Sequence, residues 1–241
     1  MRAVLLIVQK ELGAYFKSML GYLVFAVLLF VDGLLFHGLA LGGADKLSAT
    51  VLTQFFNFTS GVTMIAAILI SMRLFAEERR DGTLVLLYTA PLTDWQIIIG
   101  KWLSAWTYLT LFLALTAYMP LLVMVNGTVN FGQLLSGYLG LWLLGAAVTA
   151  IGTFASSLTR SQLLAGAVSG AIVTTLVLSW QLSARVDPPF DVLFSFLALH
   201  NKHFLPFMKG SIHVRDIVYY LSVTFLSLLL TRQVLAARRW T

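Results

Sequence analysis

Cysteine is absent from this sequence, and charged side chains are scarce. The 241 residues include 16 basic and 10 acidic side chains, which make up 11% of the chain, whereas 59% of the residues are hydrophobic. The absence of cysteine excludes disulfides and thiolate metal ligands. A single soluble core of this length cannot bury so much apolar surface. We therefore expect an integral membrane protein.

The motifs of several catalytic classes are also missing. No G-x-x-x-x-G-K-[ST] loop is present, since Gly100-Lys101 is followed by Trp102, and we do not expect the chain to bind nucleotide phosphates. The apolar segments lack the series of Asp, Glu and His residues typical of a proton- or sodium-driven carrier. No paired carboxylates or Ser–His arrangement lies at membrane depth, which argues against an intramembrane hydrolase. The sequence thus predicts a protein that is not an enzyme.

Six apolar runs are long enough to cross about 30 Å of hydrocarbon. They cover residues 21–41, 55–75, 101–125, 134–158, 162–183 and 214–235. The longest gap, 184–213, is too short for a soluble domain and is rich in Phe, Leu and Pro. The sequence therefore predicts an all-α integral membrane protein with about six transmembrane helices, organised as a single domain over residues 1–241.

Basic residues are concentrated on one side of these spans. They are Arg2, Lys10, Lys17, Arg73, Arg79, Arg80, Lys101, Arg160, Arg232, Arg238 and Arg239. The positive-inside rule places that side, with both termini, in the cytoplasm, and we expect the bacterial plasma (inner) membrane. The net charge of +6 is then a topology signal and a match to anionic lipid surfaces, not evidence for nucleic-acid binding.

The first 20 residues have the pattern of an amphipathic helix. One helical stripe holds Val4, Leu5, Val8, Leu12, Tyr15 and Phe16, and the opposite face holds Arg2, Gln9 and Lys17. A helix of this kind lies on a membrane surface rather than across the bilayer. We expect residues 1–20 to form an interfacial helix on the cytoplasmic side.

A charged segment, residues 76–92, separates the second and third spans. Gly82 is expected to end the helix that arrives from the second span, and Thr83 to cap a short new helix that begins at Leu84. Pro91 ends that helix, and the Thr93–Gln96 pair forms a capping box that starts the third span. A short helix held in this way would dock onto a cytosolic partner. The alternative is an ordinary short loop.

Three parts of the chain resemble permease subunits of ABC-2 type ABC transporters, close to those of gliding-motility and copper-enzyme-maturation systems. The first is Lys10-Glu11-Leu12 followed by Tyr15-Phe16, and the second is the eleven-residue run from Gly210 to Tyr220 that enters the last span. The third is the charged segment, where the matching residues are Glu77, Arg79, Gly82, Thr83, Leu86, Leu87, Thr89, Ala90, Pro91 and Leu92. The resemblance covers nearly the whole chain. One departure is Val85, where the family often has a glutamate.

The resemblance implies a type V exporter-like fold and an ATP-binding partner. In the family, the segment after the second span is a coupling helix that inserts into a groove of the ATP-binding subunit. That role passes here to Glu77, Glu78, Arg79, Gly82, Thr83, Leu86, Leu87, Tyr88, Thr89, Ala90, Pro91 and Leu92. The resemblance also implies that ATP and Mg²⁺ bind the partner subunit, that residues 184–213 form a short external lid, and that the permease pairs with a second copy or a related permease.

Two functions remain open at this point. One is an ATP-driven exporter that moves its cargo by alternating access at a dimer interface. The other is an ATPase-driven membrane anchor that transmits force or a signal to an extracytoplasmic accessory subunit without transporting a substrate. The sparsely charged spans favour lipid-like, hydrophobic or polymer-linked cargo.

A few polar side chains in apolar surroundings are further candidates. Asp32 and His37 form a candidate intramembrane polar site. Asp32 lies either at membrane depth or, if nearby glycines end the span early, near the outer interface. His200 and His203 are one helical turn apart, as in some zinc sites, but they lack an acidic third ligand and Lys202 opposes a cation. We expect no metal there and interpret both histidines as polar tips of an external turn.

Small and hydroxyl residues suggest close helix contacts. Gly166 and Gly170 have the G-x-x-x-G spacing in an apolar span, which suits packing within the chain or a contact between subunits. The turn over residues 156–162 is expected to join the fourth and fifth spans on the cytoplasmic side. It is either a plain capped turn or a secondary contact with the ATP-binding subunit.

Overall fold

The computed structural model describes residues 2–41, 47–83, 92–127, 129–188 and 190–238. The helices of these ranges are α1 (Arg2–Lys17), α2 (Met19–Leu35), α3 (Ser48–Ser71), α4 (Ala76–Arg80), α5 (Asp94–Thr116), α6 (Tyr118–Asn126), α7 (Phe131–Leu158), α8 (Gln162–Ser183), α9 (Phe190–Leu197), α10 (Leu205–Met208) and α11 (Val214–Arg238). A π-helical turn, Phe36–Ala40, extends α2.

Within the described ranges, six helical stretches are long and apolar enough to cross a membrane, so the predicted all-α architecture with six spans is confirmed. They are Gly21–Ala40, Ser48–Arg80, Asp94–Val125, Phe131–Leu158, Gln162–Ser183 and Val214–Ala237. The third stretch begins earlier than the apolar run predicts. Thr93 and Gln96 form the expected capping box, so the helix already starts at Asp94 and Lys101 lies well inside it.

The fourth span, α7, lies at the centre of the bundle. It packs against α3, α5, α8, α10 and α11, and it is the most deeply buried of the six stretches. Small residues allow this close approach. A Cβ atom at Gly152 would collide with the Ser71 side chain of α3, and one at Gly140 would press on Phe207. The glycines of α7 therefore serve packing within the chain, whereas Gly170 of α8 has open space beside it.

Helix α1 packs along α5 and α2 at the end of the bundle where α5 begins and α11 ends. We call this the basic end, because Lys10, Arg73, Arg79 and Lys101 lie there. Within the predicted apolar stripe Tyr15 is buried against the bundle, whereas Leu5 and Phe16 are exposed, and Ile7 outside the stripe is also buried. Ile7 is buried because Gly100 of α5 leaves room for it. The predicted helix is present, and its position on a membrane interface stays a prediction.

The opposite end is closed by residues 198–208, most of which are buried or half-buried, whereas residues 209–213 are exposed. Phe204 and Phe207 are fully buried, and His203 is inaccessible. Our interpretation of His200 and His203 as exposed polar tips is therefore wrong. Both rings are buried because the structure supplies internal partners: His200 Nε2 lies 2.8 Å from Ser60 Oγ, and His203 Nδ1 lies 2.8 Å from Asp216 Oδ1.

Candidate functional site

The charged segment begins with α4, which ends where the sequence predicts. Gly82 adopts a positive φ of 72°, and the Thr83 N–H donates to the Glu78 carbonyl oxygen at 3.0 Å. This is the bond by which a left-handed residue closes the last turn of a helix. The predicted docking helix, with Leu86, Leu87, Tyr88, Thr89, Ala90 and Pro91, lies outside the described residues and stays a prediction. Leu92 follows it and packs against the core.

Beside α4, the buried ammonium group of Lys101 joins three helices. Lys101 of α5 is 1% exposed, and its Nζ lies 2.7 Å from Glu11 Oε1 of α1 and 2.9 Å from Glu78 Oε1 of α4. Nζ also donates to the Leu74 carbonyl oxygen at 2.8 Å. An ammonium group has three donors, and all three are satisfied here. We refer to Glu11, Glu78 and Lys101 as the Lys101 cluster.

Together with the neighbouring Lys10, the Lys101 cluster is close to neutral. Lys10 lies 3.5 Å from Glu78, so two carboxylates face two ammonium groups. Lys10 is largely exposed and contributes little, because water screens surface ion pairs. Lys101 is the group that compensates the charge of the buried carboxylates. Removing one partner of a buried ion pair leaves an uncompensated charge.

A second set of contacts joins α4 to the C-terminal end of α7. The Ser156 hydroxyl accepts from the N–H groups of Phe75 and Ala76 at 2.9 and 3.0 Å, and it donates to the Met72 carbonyl oxygen at 2.9 Å. The hydroxyl thus satisfies N–H groups at the start of α4 that have no partner within the helix. Ser156 lies within α7, so the turn predicted at 156–162 is shorter in the structure, where α7 ends at Leu158 and α8 begins at Gln162.

Arg79 completes this contact from the other side of α4. Its Nη1 donates to the carbonyl oxygens of Ser157 and Thr159 at 2.9 and 3.3 Å. These carbonyls lie at the C-terminal end of α7, where a helix has unpaired acceptors and partial negative charge. Arg79 and Ser156 therefore fix α4 against the central helix of the bundle.

A third contact joins α1 to the end of α3. The buried Tyr15 hydroxyl donates to the Ile70 carbonyl oxygen at 2.9 Å, and its ring stacks on Tyr108 at 4.6 Å. Burial raises the pKa of Tyr15 above its ordinary range, so the phenol remains a donor. The Arg73 guanidinium lies 4.6 Å from the centroid of the Tyr15 ring and 3.2 Å from Glu77. A cleft of about 420 Å³ opens beside these residues.

The two predicted intramembrane polar residues lie in different surroundings. Asp32 is buried, and its Oδ1 accepts from the Thr59 hydroxyl at 2.9 Å, whereas His37 is exposed on the π-helical turn. The helix continues to Ala40, which favours membrane depth over the outer interface for Asp32. The structure does not bring Asp32 and His37 together. Within the described ranges, no three His, Asp or Glu side chains are grouped to hold a metal ion.

Sequence reasoning missed the Lys101 cluster. Lys101 served only as a marker of topology, and Glu11 only as part of a resemblance. A signal was available, since the Thr93 capping box places Lys101 two turns inside a helix, where a buried lysine needs an acidic partner. Which carboxylate supplies it depends on packing between segments far apart in sequence.

The six-span, all-helical bundle with a charged segment between its second and third spans defines a multi-pass membrane subunit. A family model described as ABC-2 family transporter protein matches residues 33–237, and the chain belongs to this family. The resemblance to ABC-2 permeases is thus confirmed, and the family implies association with an ABC ATP-binding subunit. The match leaves out α1, including Glu11. No curated protein sequence matches the chain.

Proposed function

We propose that this chain is the membrane subunit of an ATP-driven exporter in the bacterial plasma membrane, with both termini in the cytoplasm. Two permease copies would work with two ATP-binding subunits, which bind ATP and Mg²⁺, and cargo would move by alternating access at the dimer interface. The basic end supports the orientation, because α1, α4 and the turn after α7 all present cationic side chains there. We propose export rather than import because the sequence resembles exporter-type permeases.

The observation that carries the proposal is the attachment of α4 to three other helices. Glu78 joins it to α5 and α1 through Lys101, and Arg79 and Ser156 join it to α7. Breaking the Glu78–Lys101 contact leaves charge partly unpaired in a buried site. A displacement of the docking segment 84–91 is therefore transmitted to the spans instead of being absorbed at its base.

Such a linkage gives ATP a route to the transport pathway. A ligand shifts a conformational equilibrium only if it interacts differently with the two states. Closure of the ATP-binding subunits would pull on segment 84–91 in one state and release it in the other. The α4 contacts then pass this difference to α5 and α7, which run the full depth of the bundle.

The experiment uses the complex of permease and ATP-binding subunit in lipid nanodiscs. Because the chain has no cysteine, a single Ser211→Cys substitution at the opposite end carries a spin label without further changes. We expect the distance between the two labels of a dimer to change when ATP is added and the subunits are trapped closed. Glu78→Gln should reduce this change while the ATP-binding subunit stays bound.

Two results would contradict the proposal. An ATP-binding subunit that never copurifies with the chain excludes ATP coupling. A label distance that is identical with and without ATP, in a complex that hydrolyses ATP, excludes alternating access and leaves the anchor function. Lys10→Gln is the matched control for Glu78→Gln, because Lys10 contacts the same cluster from an exposed position.

A further inference from the structure

A groove opens between α9 and α11 at the opposite end of the bundle from α4. It has a volume of about 430 Å³ and is lined on one side by Phe196 and Leu197 of α9. Its other side is a single stripe of α11 that includes Arg215, Val218 and Leu226. Eleven residues separate Arg215 from Leu226, so the groove runs about 16 Å along the helix. Its walls are apolar apart from Arg215 near the mouth and Ser222 partway along α11.

The α9 wall of the groove is held against α11 by several contacts. The Tyr219 hydroxyl donates to the Leu197 carbonyl oxygen at 2.9 Å, and the Tyr219 ring stacks on His203 at 3.8 Å. His203 Nε2 also contacts the Phe196 carbonyl oxygen at 3.1 Å. These contacts hold α9 against α11, so the groove is formed without a ligand.

Arg215 stands at the mouth of the groove and is available to a ligand. Its side chain is 58% exposed, and its described contact is one of Nε with Asp216 Oδ1 at 3.4 Å. Asp216 is buried and bonds more closely to His203, at 2.8 Å. Because His203 is the main partner of Asp216, the guanidinium keeps donors free for an external acceptor.

The acidic side chain next to Arg215 is not exposed to a ligand. Asp216 is buried, and no acidic residue occurs between positions 205 and 215. A guanidinium at the head of an apolar groove matches a ligand with an anionic head and an apolar chain. A free anion gains nothing from the apolar walls, and an uncharged hydrocarbon gains nothing from Arg215.

We propose that this groove binds one anionic phospholipid of the surrounding bilayer, with the phosphate on Arg215 and an acyl chain along α11. The site is independent of ATP coupling and of the direction of transport. Lipid is the occupant that the position favours, because Val218 and its neighbour Leu221 are each 53% exposed on the outer surface of a transmembrane helix.

The test measures binding of dioctanoyl phosphatidylglycerol to the purified full-length chain by native mass spectrometry, with dioctanoyl phosphatidylcholine as the comparison. We expect the phosphatidylglycerol adduct to be preferred. Arg215→Gln should weaken its binding about tenfold or more, since a charge-assisted hydrogen bond is lost. Lys209→Gln removes an exposed charge that does not line the groove and should leave binding within about twofold of wild type.

A second pair of variants tests the groove itself. Val218→Trp fills it, whereas Leu221→Trp adds the same ring to an equally exposed position outside it. We expect the first to abolish preferential binding and the second to preserve it, with both proteins monodisperse. Equal binding by these two variants, or equal losses in Arg215→Gln and Lys209→Gln, would overturn the proposal. A changed oligomeric state in Val218→Trp with unaltered lipid binding would assign the groove to a second copy instead.

Discussion

Replacement of Lys101 by methionine is the sharpest test of the Lys101 cluster. Methionine keeps the apolar stem but removes the ammonium group, so Glu11 and Glu78 are left facing each other. Their side chains are 13% and 12% exposed, so water compensates only partly. Removing one partner of a buried ion pair costs about 3–5 kcal/mol.

This cost converts to a measurable shift in thermal stability. For a chain of this size, 1 kcal/mol changes Tm by about 2–4 °C, so Lys101→Met is expected to lower Tm by roughly 6–20 °C. Tryptophan fluorescence of the purified chain in detergent follows the transition. Lys10→Gln alters the exposed lysine beside the cluster and should shift Tm by no more than a few degrees.

A triple variant separates charge from packing. Adding Glu11→Gln and Glu78→Gln to Lys101→Met removes every charge of the cluster, and we expect at least half of the lost stability to return. The reasoning is refuted if the triple variant is less stable than Lys101→Met alone. It is also refuted if Lys101→Met and Lys10→Gln shift Tm equally.

Three further predictions concern orientation, docking and pH. A cysteine at Ser211 should react with an impermeant reagent from outside intact cells, while one at Asp81 should not. Replacing Leu86 and Tyr88 together by Asp should release the ATP-binding subunit in pull-down assays, because two unpaired charges in a desolvated contact cost several kcal/mol, while the permease still elutes as one species. Burial lowers the pKa of His200, and the unfolded chain therefore binds the proton more readily. Stability should fall as pH decreases below about 6.5, and His200→Gln should flatten that dependence.

Each of these has an outcome that contradicts it. External labelling at Asp81 reverses the orientation and removes the docking segment from the cytoplasm. Wild-type retention of the ATP-binding subunit by a monodisperse Leu86/Tyr88 variant assigns docking to another surface. An unchanged Tm between pH 7.5 and pH 5.5 in wild type, or the same slope in His200→Gln, shows that His200 is not the group responsible.

Features that depend on neighbouring residues were predictable from the sequence. Span lengths follow from runs of apolar side chains, and the Thr93 capping box and the positive φ of Gly82 need only a few residues of context. The Lys101 cluster was not predictable, because it joins positions 11, 78 and 101. The inward packing of Ile7 was not predictable for a similar reason, since it depends on the room that Gly100 of α5 leaves.

The burial of His200 and His203, at the other end of the bundle, was also not predictable from the sequence. A short polar run between two spans has the composition of an exposed turn, and composition alone favours that interpretation. His203 is buried because Asp216, thirteen residues later, supplies a partner that only the folded chain brings within 2.8 Å. Burial of a polar side chain is thus decided by its partner rather than by its local sequence.

One face of helix α1 is exposed at the surface, and another face is bonded into the bundle. Leu5, Leu6 and Phe16 are exposed, whereas Glu11 on the same helix bonds to the lysine that holds α4. With α1 at the bilayer surface, a change in lipid packing or lateral pressure would act on the base of the docking segment through a single rigid helix. The efficiency of ATP coupling would then depend on the thickness and tension of the membrane in which the protein is embedded.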